Sequence, residues 1–299
     1  MRKAIVLAAG KGTRMKSDEF KVLHKVANRE MILHILDAVR SLNVDDVHVV
    51  LSPDMERVAQ KVAPAKVDIQ EQALGTANAT LAGAKSICPF DGACLVLFGD
   101  HPLFYPETFK KMFEKCESGT DVVVLGFCPK DPAKYGRLIM GDDGLQAIIE
   151  YKDATEEQRA IGLCNSGAMC INGAYLLDLL HEIKNDNAAK EYYLTDVVKL
   201  ARQKGLKVDV EIADELEVLG VNSRSELAVA EENFQNRMRK KAFDAGVTMI
   251  DPKTVYFSYD TTFENDIVIE PCVCFGVGVH LKKGAYVKSF SRFENQEIK

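Results

Sequence analysis

In the first third of the chain, apolar residues fall into short unbroken runs separated by stretches with a helical repeat. Ala4-Ile5-Val6-Leu7, Val47-His48-Val49-Val50-Leu51 and Cys94-Leu95-Val96-Leu97-Phe98 read as buried strands, and Val67-Asp68-Ile69 as a shorter extended piece. Between them, Met31-Ile32-Leu33, Ile35-Leu36 and Val39 recur at helical spacing, and residues 57–62 and 76–87 continue the pattern. This alternation with short connections predicts a doubly wound α/β fold whose mostly parallel sheet is covered on both faces. Ligands in such sheets bind beyond the carboxyl ends of the strands, where the loop after Leu7 and Gly99-Asp100 after Phe98 fall.

From Val122 to Ile149 the pattern changes to extended segments and turns. Val122 to Leu125, Arg137 to Met140 and Leu145 to Ile149, with a turn at Gly141-Asp142-Asp143-Gly144, predict hairpin-like elements walling one side of a cleft. Helices are expected near 174–180 and 195–202, a strand at 207–210, and a connecting helix at 226–241 with Leu227, Phe234 and Met238 on one side. Beyond it, Phe257, Phe263, Ile269, Phe275, Leu281, Val287 and Phe293 recur every six residues, with Gly276, Gly278 and Gly284 between them. That period predicts about two coils of a parallel β-helix, fewer than the ~3 repeats that stand alone.

Chemistry enters at Leu7-Ala8-Ala9-Gly10-Lys11-Gly12-Thr13-Arg14. Glycines on either side of a lysine let the backbone approach an anion with N–H groups exposed, and Lys11, Arg14 and Lys21 supply cations for a polyphosphate. Neither common phosphate loop fits. The P-loop requires four residues between its first glycine and Gly-Lys-Ser/Thr, and the dinucleotide fingerprint requires a third small residue where Met15 stands.

A net charge of −6 argues against a general nucleic-acid-binding surface, and no apolar run approaches the ~18 residues of a membrane span. The eight cysteines are scattered without a Cys-x-x-Cys pair and read as reduced thiols of a cytoplasmic protein. Cys272-Val273-Cys274 has no second pair or histidine to complete a tetrahedral zinc site.

A longer series of motifs narrows the reading. Leu7 to Arg14 with Lys21-Val22-Leu23 is followed by Gln70 with Leu74-Gly75-Thr76, Gly99-Asp100 with Pro102-Leu103, and Tyr135-Gly136-Arg137. Glu150-Tyr151-Lys152-Asp153-Ala154, Asn165-Ser166-Gly167, Glu191 to Asp196 and Gly220-Val221-Asn222 complete it in order. Over residues 3 to about 290 the chain resembles the nucleotidyltransferase half of the bacterial bifunctional N-acetylglucosamine-1-phosphate uridyltransferase/glucosamine-1-phosphate acetyltransferase family.

The resemblance implies that a sugar 1-phosphate attacks the α-phosphorus of UTP in line and pyrophosphate leaves. A phosphate monoester is already mostly dianionic at neutral pH, so no general base is needed. The six histidines are accordingly scattered, with only His101 beside a motif. By resemblance, Leu7, Ala8, Ala9 and Gly10 with Gln70, Gly75 and Thr76 cradle uridine, with Phe98 and Gly99 beside them. Gly12, Thr13 and Arg14 hold the triphosphate, and Arg14 and Lys21 are the catalytic cations. Asp100 and Asn222 bind Mg²⁺, while Gly136, Glu150, Asn165, Tyr193 and Thr195 form the acetamidosugar pocket. Phe98 replaces the family's usual tyrosine and Ala73 a frequent glutamine, which bears on affinity more than on activity.

The expected organisation is a nucleotidyltransferase domain at 1–222, a connecting helix at 223–246 and a short left-handed β-helix at 247–299. With so few coils, no acetyl transfer is expected, and exposed Phe275, Leu281 and Val287, with Phe293, are expected to promote self-association. A related transferase for another sugar or base, and a non-catalytic nucleotide-sugar sensor, are the alternatives.

Overall fold

The computed structural model describes residues 1–299. The chain divides into two compact units that do not follow chain order. One holds Met1–Thr13, Phe20–Val22 and Ile32–Gly220, the other Arg14–Glu19, Leu23–Met31 and Val221–Lys299.

In chain order the first elements are β1 (Arg2–Leu7), β2 (Lys25–Val26), β3 (Arg29–Glu30), α1 (Met31–Arg40), β4 (Asp46–Leu51), α2 (Glu56–Val62) and β5 (Lys66–Ile69). They are followed by α3 (Thr76–Ile87), β6 (Ala93–Phe98), α4 (Pro106–Glu117), β7 (Val122–Phe127), β8 (Arg137–Gly141) and β9 (Gly144–Ile149). Then come α5 (Glu156–Arg159), β10 (Cys164–Asn172), α6 (Gly173–Glu182), α7 (Asp196–Gln203), β11 (Val208–Ile212) and α8 (Arg224–Asp244).

The first unit is built on a sheet ordered β11-β7-β10-β6-β1-β4-β5, with the β8–β9 hairpin attached through β10. β1 lies between β4 and β6, parallel to both, and Ala4, Ile5 and Val6 are fully buried. That is why its sequence is an unbroken apolar run rather than an alternating one. β10 is antiparallel to β6 and β7 and makes the sheet mixed. Its register breaks between Asn165 and Met169, where Gly167 sits at φ +93°. A Cβ there would lie 2.7 Å from the Phe98 ring, so glycine lets the bulge lie against the end of β6.

The apolar pattern places the early strands and helices within a few residues but leaves α4 and β10 unassigned. α4 buries Phe109, Met112, Phe113 and Cys116, a helical stripe diluted by charged residues between. In β10 the central bulge interrupts the strand signal.

In the second unit, β2 and β3 form a hairpin whose turn residues Ala27 and Asn28 both have positive φ, 49° and 67°. Ser223 caps α8, its hydroxyl accepting the Glu226 N–H. The remaining strands are β12 (Val247–Met249), β13 (Val255–Tyr256), β14 (Thr262–Phe263), β15 (Ile267–Ile269) and β16 (Val273–Phe275). β17 (Val279–Leu281), β18 (Tyr286–Val287), β19 (Arg292–Phe293) and β20 (Gln296–Ile298) complete the chain.

These nine strands form three parallel sheets, β12-β15-β18, β13-β16-β19 and β14-β17-β20, the three faces of a β-helix. It has three strand layers where the hexad count suggested about two coils. Phe257, Phe275 and Phe293 stack along its interior with centroids 5.4 and 5.9 Å apart. The expectation that Phe275, Leu281 and Val287 would be exposed is wrong, because they are 0, 0 and 1% exposed. The six-residue period points them inward, and neighbouring coils close over them.

Candidate functional site

The glycine loop begins where β1 ends. The Ala8 N–H donates to the Val50 carbonyl (2.9 Å) and the Gly99 N–H to that of Leu7 (2.9 Å), which ties the loop to the carboxyl ends of β4 and β6. Leu7 and Ala8 are buried, Ala9 is partly so, and Gly10 is exposed with open space around it. Gly12 has φ +62°, and a Cβ on it would lie 2.5 Å from the Cβ of Lys21. Only glycine therefore lets the loop pass so close to the lysine stem.

Lys21 in turn donates through Nζ to Asp100 Oδ2. The other oxygen of Asp100 accepts from His101 Nδ1 at 3.0 Å. Asp100 is 8% exposed, and burial alone would favour its neutral form. The hydrogen bonds and charges of His101 and Lys21 outweigh that penalty and hold the carboxyl well below the usual range. The result is a buried, ionised oxygen donor at the carboxyl end of β6.

Asp100, Phe98 and Thr76 share a pocket with Gly136, Glu150, Asn165 and Thr195. Its volume, about 230 Å³, is below the ~300–1,000 Å³ of pockets for drug-sized ligands, so it suits one sugar-sized group rather than a whole nucleotide sugar. The hairpin supplies the wall. Gly136 leaves room for the Glu150 carboxylate, which would sit 3.5 Å from a Cβ there, and the Asn165 N–H donates to the Gly136 carbonyl (2.8 Å). Thr195 Oγ1 donates to Glu150 Oε1 (3.4 Å).

Burial raises the Glu150 carboxyl above its ordinary range, with Asp153 and Asp196 adding repulsion against the Thr195 hydrogen bond. Burial and the same acids also raise Tyr193, which lies outside the pocket lining. The two ends of the pocket therefore differ: one carboxylate is held ionised by its lysine and histidine partners, the other is crowded by acids.

Gly75 and Thr76 are fixed from the other side. Gly75, at φ +117°, would clash with the Tyr192 backbone if it carried a Cβ, and Thr76 Oγ1 accepts the Leu194 N–H (3.0 Å). Gln70 is buried and donates to the Gly75 carbonyl (3.2 Å) and Asn78 Oδ1 (2.9 Å). Arg14 and Asn222 belong to the second unit, where the Asn222 N–H donates to Glu226 Oε2 (2.7 Å). The pocket lining also includes His101, Lys134, Tyr135, Ser166, Gly167, Met169 and Leu194, which the sequence does not single out as site residues. Ser166 and Gly167 lay inside a noted motif, and His101 beside one. Lys134 carried no signal beyond its proximity to Tyr135-Gly136.

Magnesium takes oxygen ligands and keeps several waters, relying on substrate phosphates more than on an all-protein cage. Asp100, buried and ionised, offers the hard oxygen donor such an ion requires. No cluster of three or more His, Cys, Asp or Glu side chains could hold a metal alone. No helix is long and apolar enough to cross a membrane.

The model of the MobA-like NTP transferase domain matches residues 4–166. The bifunctional protein GlmU of Paramagnetospirillum magneticum is 50% identical over 292 residues, 97% of this chain and 65% of that protein. GlmU of Rhodospirillum rubrum is 51% identical over 266 residues, 88% of this chain and 60% of the relative. GlmU of Brucella anthropi is 45% identical over 299 residues, 99% of this chain and 66% of the relative. The chain thus spans under two thirds of the length of these relatives.

Proposed function

We propose that this chain, which belongs to the MobA-like NTP transferase family, transfers the uridylyl group of UTP to N-acetylglucosamine 1-phosphate, releasing pyrophosphate and forming UDP-N-acetylglucosamine. The observation that carries the proposal is the pocket at the carboxyl ends of the strands, which joins ionised Asp100, with Lys21 bonded to it, to the Glu150, Asn165 and Thr195 wall. Lys21 offers a phosphate its cation at the first end, and the acid and amide groups of the second suit a neutral, hydroxyl-rich sugar.

In the proposed reaction an oxygen of the sugar phosphate attacks the α-phosphorus, and the bond to the β-phosphate oxygen breaks. The incoming phosphate is already anionic, so the side chains need only position groups and stabilise charge. Leu7 to Gly10, Gln70, Gly75 and Thr76 take the nucleoside, with Phe98 and Gly99 beside it. The N–H groups of Gly12 and Thr13 would face the phosphates, and Arg14 and Lys21 would offset their charge. Glu150 accepts from sugar hydroxyls, Asn165 serves the acetamido group, and Gly136, Tyr193 and Thr195 complete that wall. Asp100 and Asn222 would hold Mg²⁺, which when bound neutralises charge on the phosphates.

Residues 1–222 would carry nucleotidyl transfer, 223–246 the connecting helix and 247–299 the β-helix. Purified protein offered a panel of nucleoside triphosphates and sugar 1-phosphates should release pyrophosphate fastest with UTP and N-acetylglucosamine 1-phosphate. A preference for another sugar or base would reassign the substrate, and no release with any pair would remove the enzyme reading.

A further inference from the structure

The segment carrying the proposed cations is gripped from far along the chain. Arg224, at the start of α8, donates from Nε to the Met15 carbonyl (3.1 Å) and from Nη1 to His24 Nδ1 (3.3 Å). Met15 is 1% and His24 9% exposed, so both anchor points lie in the packed interior. Two helical turns on, Glu231 Oε2 accepts the Ala27 N–H (2.6 Å), while its other oxygen accepts from Gln235 Nε2 (2.8 Å). Gln235 is 1% exposed and held on both sides of its amide by the backbone of Phe257. The Ala27 carbonyl accepts from the Tyr259 N–H (2.9 Å) and Ser258 Oγ (3.3 Å), and Arg29 lies over the Tyr259 ring at 4.5 Å.

We infer that Arg224 and Glu231 are positioning residues for the cation-bearing segment 14–31, an inference that rests on the proposed function. Arg224 ties Met15, the residue next to Arg14, to His24, three residues past Lys21, so one guanidinium spans the stretch in which Lys21 stands. Glu231 holds the following turn, where Ala27 and Asn28 adopt left-handed backbone angles that isolated L-residues disfavour. A charged acceptor on the Ala27 N–H stabilises that conformation more than a neutral one would. Neither residue needs to touch substrate. Their effect is to narrow the conformations from which Arg14 acts, which is a contribution to turnover rather than to ground-state binding.

The test has two arms. Hydrogen exchange of the unliganded protein reads the clamp itself. Arg224→Ala and Glu231→Ala should each speed exchange across 15–31 by tenfold or more, while core amides such as those of β1 and β6 keep their rates. Steady-state kinetics reads its use. Arg224→Ala should lower kcat at least tenfold with KM for UTP changed less than threefold, and Arg224→Lys, which keeps one donor for the Met15 carbonyl, should recover part of the loss. Unchanged exchange in 15–31, or raised exchange with unchanged kcat, overturns the inference. Arg224→Lys serves in both arms if an alanine variant does not fold. Absence of turnover in the wild type would sink the proposed function while leaving the exchange arm to judge the clamp.

Discussion

Asp100 and Glu150 are carboxylates in one pocket with opposite environments, and each supports its own prediction. Asp100→Asn removes the charge without changing volume, so turnover should fall by well over tenfold while the circular dichroism spectrum is retained. Residual activity above about a tenth of wild type at saturating Mg²⁺, a loss below ~1.4 kcal/mol, would refute the metal assignment. Glu150→Ala should raise KM for the sugar phosphate by about tenfold or more, because a hydrogen bond to a charged group contributes ~1.5–3 kcal/mol, and should leave KM for UTP nearly unchanged. The raised Glu150 carboxyl also sets a pH dependence. A folded-state value above the unfolded value of ~4.3 gives stability that is present in acid and lost as the carboxyl ionises on rising pH. Glu150→Gln has no such loss, so its melting temperature should gain on wild type as pH rises from about 4 to about 7. A variant melting temperature that falls relative to wild type over that range would mean the carboxylate is not penalised by burial. At this scale the sequence was readable wherever a residue type has few uses: a glycine at positive φ, or a carboxylate after a buried strand. The Lys21–Asp100 pair was not, because nothing in the spacing of residues 21 and 100 says that they meet.

Among the elements, the β8–β9 hairpin shows how a wall is held in place by a buried cation. Arg137 is 2% exposed, and its guanidinium donates to the carbonyls of Pro132 (3.2 Å), Ala133 (3.2 Å), Tyr135 and Arg159 (3.1 and 3.2 Å). The loop bearing Lys134, Tyr135 and Gly136 is therefore organised around one side chain. Arg137→Met should leave several carbonyls without donors, at ~1–3 kcal/mol for each unsatisfied buried group. A fall of several degrees in melting temperature and a raised KM for the sugar phosphate are expected together, measured by calorimetry and pyrophosphate release. Retention of both values would mean the loop keeps its shape without Arg137. Tyr135-Gly136-Arg137 was visible as a motif, but its arginine was not readable as structural. A lone arginine in an extended run looks like any solvated charge until the loop is seen folded around it. The strands and helices of the parallel part were readable because burial on both faces writes an unbroken apolar run, whereas bulged β10 and charge-diluted α4 write no such signal.

For the whole molecule, the β-helix was readable from its six-residue period, but which residues it exposes was not. Ile250, Tyr256, Tyr286 and Phe290, 61, 47, 56 and 86% exposed, are its large outward-facing side chains, whereas Phe275, Leu281 and Val287 fill its interior. Self-association through this element should therefore use the former. Sedimentation velocity across a concentration series should show weak association that Phe290→Ala with Tyr286→Ala reduces, and a monomer at every concentration would dismiss it. The mixed make-up of the second unit has a consequence for synthesis. Residues 14–19 and 23–31 leave the ribosome early, yet their partners Arg224 and Glu231 are 209 and 204 positions behind Met15 and Ala27. At ~5–20 residues per second, that is a wait of roughly 10–40 s. The stretch that carries Arg14 is thus among the first made, yet it is fastened only after every strand of the first unit has been synthesised.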